Sequence, residues 1–273
     1  MADWLIFTDL DGTLLDHHTY RHAAANDMLA YLRELQIPVI PCTSKTRYEL
    51  ASLMPELGLS GPCIVENGAA ICVPEALLAP PDGACPDKVL TGCWMYRLGA
   101  RQTDIDRVLG ALGRSFRFRR LSQMSPESVT AETGLAPGRA ALACRREFSE
   151  PILWDDAEAA REVFSARLAQ QDLRLQRGGR FWHVTGVADK GTALIWLARY
   201  WERCTGRAVR TIALGDSDND MPMLRAANHP VIVRSPVHPP PQPGPSHPVY
   251  ISQKTGPAGW SEALNILLET CYG

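Results

Sequence analysis

Trp4-Leu5-Ile6-Phe7-Thr8-Asp9-Leu10-Asp11-Gly12-Thr13 joins an apolar run to two carboxylates two residues apart. The apolar residues predict a short buried strand, and Gly12 supplies the sharp turn that ends it. Asp9 and Asp11 then lie at the carboxyl end of that strand, where open α/β sheets keep their ligand crevice. One carboxylate there can attack phosphorus while the other moves protons, and both can help hold a divalent cation. A strand followed by an inert Asp-rich turn has the same local pattern, so the chemical reading needs partner groups downstream.

The surrounding pattern predicts an α/β fold. Met28, Leu29, Leu32 and Leu35 recur at helical spacing within residues 23–35. Residues 37–42 form a second expected strand, with prolines at its edges. A helix over 47–57 closes at Gly58, and Cys63-Ile64-Val65 makes a third strand. Helices alternating with short apolar strands imply a parallel sheet with right-handed crossovers. Residues 74–92 change to a Pro/Gly-rich loop. Beyond it come expected strands at 140–144 and 181–184 and helices at 103–112 and 155–170. The α/β texture returns at Asp189, with a helix over 190–204 that places Leu194, Leu197 and Trp201 on one side and ends at Gly206. A strand over 209–214 follows, then helix and strand after Asp220.

The expectation is a Rossmann-like three-layer core with a parallel sheet, built from residues 1–84 and 187–273, plus an inserted α+β cap over 85–186. Residues 97–180 hold 15 Arg, no Lys and 11 acidic residues, a balance suited to a lid over an anion and also to a solvated basic face. Seven prolines within 234–248 exclude regular structure there and predict a surface loop set apart from the chemistry.

Composition narrows the classes. A formal net charge of −2 gives no reason to expect nucleic acid or a membrane surface. No apolar run approaches the roughly 20 residues of a spanning helix, and the first residues lack the pattern of a secretory leader, so the expected compartment is the cytoplasm. The 8 cysteines form no Cys-x-x-Cys pair, which argues against a zinc site. With 24 Arg and only 4 Lys, a lysine inside a motif stands out, and Lys45 and Lys190 are two of the four.

Three later segments complete the first. Thr43-Ser44-Lys45-Thr46 ends the second strand with hydroxyls and amides able to hold a phosphate oxygen, although the same residues would serve as a helix cap. Asp189-Lys190-Gly191 opens the long helix, where a cation opposes the helix dipole and calls for an anion. Gly215-Asp216-Ser217-Asp218-Asn219-Asp220 clusters hard oxygen donors at a strand end, as Mg²⁺ prefers.

In this order the four segments resemble the haloacid dehalogenase superfamily of phosphatases, and the position of the insertion resembles its subfamily with the larger α/β cap. Thr43 matches the phosphate-binding hydroxyl, with Ser44 as second choice, because Thr-Ser-Lys stands where the subfamily usually has Thr-Gly-Arg. The chain further resembles the mannosyl-3-phosphoglycerate phosphatase family at Thr43-Ser44-Lys45-Thr46, Glu66-Asn67-Gly68-Ala69, Arg146-Glu147-Phe148-Ser149-Glu150-Pro151, Gly178-Gly179-Arg180-Phe181 and Gly256-Pro257-Ala258-Gly259-Trp260.

The resemblance implies a Mg²⁺-dependent phosphomonoesterase acting on a small phosphorylated glycoside, as a monomer or homodimer. It implies Asp9 as nucleophile, Asp11 as acid and base, and Thr43 and Lys190 on the phosphate. Metal ligation would come from the carboxylates of Asp9 and Asp216 and the backbone carbonyl of Asp11, with Asn219 and Asp220 orienting. For the organic part of the substrate the candidates are Ser44, Lys45, Asn67, Gly178, Gly179 and Arg180, with Arg145 and Arg146 as weaker ones. Glucosyl-3-phosphoglycerate or a broader range of sugar phosphates is the alternative substrate. A phosphomannomutase-like transferase is the alternative of another class.

Overall fold

The computed structural model describes residues 2–81, 83–90, 92–177, 181–242 and 248–272. In chain order it begins with β1 (Asp3–Thr8), a 3-10 turn at Ala23–Ala25, α1 (Asn26–Glu34), β2 (Val39–Pro41), α2 (Arg47–Glu56), β3 (Cys63–Val65), β4 (Ala70–Pro74), β5 (Lys88–Leu90) and β6 (Cys93–Arg97). Next come α3 (Gln102–Leu112), β7 (Phe118–Arg120), α4 (Pro126–Thr133), α5 (Pro137–Ala143), β8 (Ser149–Trp154), α6 (Glu158–Ala169), β9 (Leu173–Arg177) and β10 (Trp182–Gly186). The chain closes with α7 (Lys190–Thr205), β11 (Val209–Gly215), α8 (Met221–Ala226), β12 (His229–Arg234), β13 (Tyr250–Thr255) and α9 (Gly256–Tyr272).

Five of the strands form a parallel sheet in the order β13-β12-β11-β1-β2. Alternation along β1 explains the layers on either side. Trp4 and Ile6 point into a core shared with Met28, Leu29 and Leu32 of α1 and Trp260 and Leu264 of α9. Leu5 and Phe7 point the other way, onto Leu194, Leu197 and Trp201 of α7 and Met223 and Leu224 of α8. A sheet buried on both faces between helices is the three-layer α/β core expected from the sequence. Pro41 is accommodated because β2 is an edge strand, where one side needs no ladder donor. Gly206 ends α7 in the left-handed conformation, φ 68°.

A four-stranded antiparallel sheet, β7-β8-β10-β9, carries α3 and α6 on one face, where Ile105, Leu109, Ile152, Phe164 and Val184 pack together. The chain enters this layer at residues 98–100, after β6, and leaves it at residues 186–189, before α7. The two passages touch: a Cβ at Gly186 would lie 2.4 Å from the Ala100 nitrogen, so only glycine lets the backbones cross.

Three expectations need correction. Cys63-Ile64-Val65 does not extend the parallel sheet. It meets β2 through a single bridge, Cys42 to Ile64, and pairs antiparallel with β4 to start a third sheet, β3-β4-β6-β5. A short apolar run between turns fits either partner, so its composition could not decide. Residues 74–92 are not all loop, since they contain β5, an edge strand whose Lys88 and Val89 are exposed and therefore leave no burial pattern. Residues 140–144 are not a strand. They finish α5, which starts with proline in its first turn and runs through alanine and leucine, all favourable to helix. No helix among the described residues is long and apolar enough to cross a membrane.

Candidate active site

β1 and β11 run side by side in register to Thr8 and Leu214, so Asp9, the next residue on one strand, and Asp216, two beyond on the other, emerge at the same end of the sheet. The Asp9 amide donates to the Leu214 carbonyl (2.9 Å), which ties the first loop to the sheet. Gly12 adopts φ 88°, and a Cβ there would lie 2.6 Å from Asp216 Oδ2. The turn therefore needs glycine for its conformation and for the approach of the carboxylate. Thr13 Oγ1 donates to Asp216 Oδ1 from 3.4 Å.

Lys190, fully buried at the first position of α7, donates from Nζ to Asp9 Oδ1 and Asp220 Oδ1, each at 2.6 Å. Asp220 Oδ2 accepts from the Asp216 and Ser217 amides, both at 3.1 Å. Asp220 thus spends both oxygens on holding its neighbours. Asn219 Nδ2 reaches Asn67 Oδ1 at 3.4 Å.

Asp9, Asp216 and Asp220 bring a carboxylate oxygen each within 4.8 Å of one another. Burial pushes the Asp9 carboxyl well above the ordinary range. The Lys190 ammonium opposes this, while Asp220, Asp216 and Asp11 reinforce it. Burial and then the Asp220 charge raise Asp216 to about 7. Burial would depress Lys190, but Asp220 and Asp9 outweigh it and raise the ammonium above its usual value. Three carboxylates around one ammonium leave a negative excess that a divalent cation would offset. The donor set fits one: Asp9 keeps its second oxygen, Asp216 holds only long side-chain contacts to Thr13 and His238, both at 3.4 Å, and all three carboxylates offer hard oxygens.

Asp11 points to the other side of the turn. Its Oδ2 accepts from Lys45 Nζ at 2.6 Å, and its buried Oδ1 has no protein partner. Burial disfavours the Lys45 cation, yet Asp11 and Glu49 raise it overall. Thr43 is buried beneath the site, its hydroxyl accepting from the Lys45 amide (3.2 Å), while Ser44 faces the cavity.

Two adjoining cavities open over these groups. One, of about 600 Å³, is lined by Asp9, Asp11, Asn67, Asp216, Gln176 and Arg177, with His238 at its rim. The other, of about 500 Å³, includes Lys45, Tyr20, Arg146, Thr133 and Phe181. Asp11, His17, Ser44 and His183 border both. Gln176 and His183 face each other across β9 and β10, and Pro151 faces His183 across β8, so one face of this sheet roofs the site. Gly178, Gly179 and Arg180 lie outside the described residues.

Arg146 reaches the site while Arg145 does not: Arg146 Nη1 donates to the Ser44 carbonyl (3.1 Å), and the Arg145 guanidinium stacks on Tyr48. Glu66 accepts from the Glu147 and Phe148 amides at 3.0 and 3.1 Å and from the Ser149 hydroxyl. Two of the motifs quoted above, some eighty residues apart, therefore meet as a latch between the turn after β3 and the start of β8. The Gly-Pro-x-Gly-Trp segment has a structural role too. Trp260 Nε1 donates to Thr8 Oγ1 (3.0 Å), which donates to the Asp9 carbonyl (2.7 Å) and braces the first loop from behind.

His17, Gln176, Arg177, His183 and His238 also line the cavity, and none of them lies in a motif that the sequence marks for chemistry. The described part of the proline-rich stretch, residues 235–242, is irregular but not remote, since it brings Val237 and His238 to the cavity. Burial, helped by the Arg146 charge, lowers His183 to about 3. An unfolded histidine titrates near 6.5, so between about pH 3 and 6.5 the unfolded chain binds the extra proton and stability rises with pH. His183→Gln should therefore lose about 2–3 kcal/mol less than the parent on acidification from pH 7 to 4.5, measured by urea denaturation. Identical pH slopes would contradict a neutral buried imidazole.

Comparison with known proteins agrees with this geometry. Residues 6–77 match the family model of haloacid dehalogenase-like hydrolases, and residues 156–267 match that of sucrose-6F-phosphate phosphohydrolase. Among solved structures, a haloalkanoate-superfamily phosphatase of Bacteroides thetaiotaomicron superposes with a TM-score of 0.67 at 18% identity, covering 97% of this chain and 95% of that one. The sucrose-phosphatase of Synechocystis sp. PCC6803, solved with sucrose and phosphate, gives a TM-score of 0.64 at 16% identity over 97% and 98% of the two chains. At such identities the likeness establishes the fold: a haloacid dehalogenase-type core with an added cap.

Proposed function

We propose that this haloacid dehalogenase-type hydrolase is a Mg²⁺-dependent phosphomonoesterase that hydrolyses 2-(mannosyl)-3-phosphoglycerate to mannosylglycerate and phosphate. The observation that carries the reading is the buried Lys190 held between Asp9 and Asp220, beside Asp216 and opposite the Asp11–Lys45 pair.

Asp9 attacks phosphorus in line, the ester P–O bond breaks, and an aspartyl-phosphate forms. Asp11 gives its proton to the departing alkoxide and then takes one from the water that hydrolyses the acyl phosphate. Lys190 neutralises charge between the nucleophile and the phosphate, while Ser44 and Thr43 offer hydroxyl and amide donors to its oxygens. The carboxylates of Asp9 and Asp216 and the Asp11 carbonyl would hold Mg²⁺, which supplies Lewis-acid compensation of the phosphate charge. The sheet over the site acts as a lid, hinged at residues 98–100 and 186–189, and keeps bulk water out during transfer.

Support for the substrate comes from the five quoted segments and from the second cavity. There Lys45 and Arg146 provide cations for a glycerate carboxylate beside the phosphate. The match of residues 156–267 to sucrose-6F-phosphate phosphohydrolase favours a second reading, a disaccharide phosphate.

Phosphate release should be compared across mannosyl-3-phosphoglycerate, its glucosyl analogue, sucrose 6-phosphate, mannose 6-phosphate and 3-phosphoglycerate. The proposal expects a preference in kcat/KM of about a hundredfold for the mannosyl compound, roughly 2.7 kcal/mol in the transition state. Equal rates with mannose 6-phosphate, or a lead for sucrose 6-phosphate, would reject the substrate assignment and leave the phosphatase chemistry standing.

A further inference from the structure

Among the described residues, three polar atoms that are buried without a protein partner belong to side chains around the two cavities: Asp11 Oδ1, Arg146 Nε and His183 Nδ1. A buried donor or acceptor left unpaired costs about 1–3 kcal/mol, so a group of them around a cavity marks where a polar ligand completes the bonding. Asp11 and Arg146 already have parts in the proposed reaction. His183 has none, although it borders both cavities. Neither has Gln176, its cross-strand partner on the roof, whose side chain makes no hydrogen bond among the described residues.

The two arms of this forked space differ in chemistry. The arm with Lys45 and Arg146 is cationic. Beyond its carboxylates, the other arm offers the carboxamides of Gln176 and Asn67 and the imidazole of His183. Burial keeps that ring uncharged, so it holds one donor and one acceptor nitrogen, and a carboxamide likewise offers both. Arg177 also lines this arm but lays its guanidinium over the Trp182 ring, 5.0 Å from the centroid. Donors and acceptors without net charge complement hydroxyl groups better than they complement a second anion. At about 600 Å³ the arm has room for a hexose ring beside the phosphate. In a glycosylated 3-phosphoglycerate the carboxylate and the glycosyl oxygen leave the same carbon, so the two branches diverge as the two arms do.

We propose that Gln176 and His183 select for a glycosyl substituent, binding hydroxyls of the sugar ring in the uncharged arm while the carboxylate occupies the cationic one. The inference rests on the phosphatase reading of the site and deepens it by assigning the arm that takes the sugar and the side chains that read it.

The test assays the full-length chain with Mg²⁺ on mannosyl-3-phosphoglycerate and on 3-phosphoglycerate, which keeps the phosphate and the carboxylate but lacks the sugar. Gln176→Met preserves side-chain length and removes the hydrogen-bonding groups, and His183→Phe does the same for the ring. The readout is the ratio of kcat/KM for the glycosylated to the bare compound, which should fall about tenfold or more in each variant. General damage to the structure lowers both rates together and leaves the ratio in place. Gln176 is only half-buried, so Gln176→Met decides the matter if His183→Phe does not fold. A ratio within threefold of the parent's in the folded variants would overturn the inference and leave the phosphatase reading standing. If the parent instead prefers sucrose 6-phosphate and the variants lose that preference, the inference holds and the mannosyl assignment falls. A parent with no preference for any glycosylated phosphate over 3-phosphoglycerate would overturn both.

Discussion

Asp9→Asn should lower kcat by at least about 10⁴ while the protein remains folded. The amide nitrogen's lone pair is delocalised into the carbonyl and the neutral amide oxygen is a poor nucleophile, and neither Asp220 nor Asp11 is free to take over. Both Asp220 oxygens are engaged, and Asp11 is turned toward Lys45. The fold should survive because the amide oxygen can still accept from Lys190, and because the change removes one of three crowded negative charges. Circular dichroism and a melting temperature near that of the parent, measured beside the phosphate-release assay, would separate lost chemistry from lost structure. Turnover within tenfold of the parent would exclude attack by Asp9.

Lys190→Met should cost about 3–5 kcal/mol of stability, the range for removing one partner of a buried ion pair. The side chain is wholly buried, and two carboxylates depend on it. With the ammonium gone, burial and the Asp220 charge act unopposed on Asp9 and Asp216, so these carboxyls hold protons more tightly in the folded state than in the unfolded chain. A carboxyl raised in the folded state makes stability fall as pH rises through and above the ordinary carboxylate range, so the variant should be least damaged near pH 4–5 and most damaged at pH 8. Urea denaturation at both pH values reads this directly. Adding Asp9→Asn to Lys190→Met should recover about 1–3 kcal/mol at pH 8, the coupling expected of groups in contact. Strict additivity would mean that the short contacts do not act as an ion pair.

Much of the candidate site was legible because its determinants are local. An apolar strand that runs into Asp-x-Asp-Gly-Thr marks its own end, and the same holds for the strand before Gly215-Asp216 and for the helix opened by Asp189 and Lys190. The parallel pairing of β1 with β11 then brings these ends together. Lys190 was read as a cation in need of an anion, and it occupies a site between two carboxylates. Failures arose where the local pattern was degenerate. The short apolar run of β3 fitted either sheet, the exposed edge strand β5 carried no periodicity, and alanines and leucine at 140–143 could have served strand or helix.

What the sequence alone determined is the α/β class, the chain order of the strand-end motifs and the choice of Asp9, Asp11, Lys190 and Asp216 as candidates, because each depends on side-chain type and on spacing within a few residues. Tertiary structure alone decided that Glu66 latches onto the backbone at Glu147 and Phe148, that Gln176 and His183 roof the cavity, and that a proline-rich loop carries His238 to Asp216. Those contacts join segments about 10 to 80 residues apart or meet across a sheet, and short-range propensity does not specify them. Strand order, the crossing of the backbones at Gly186 and Ala100, and the burial of charge set them.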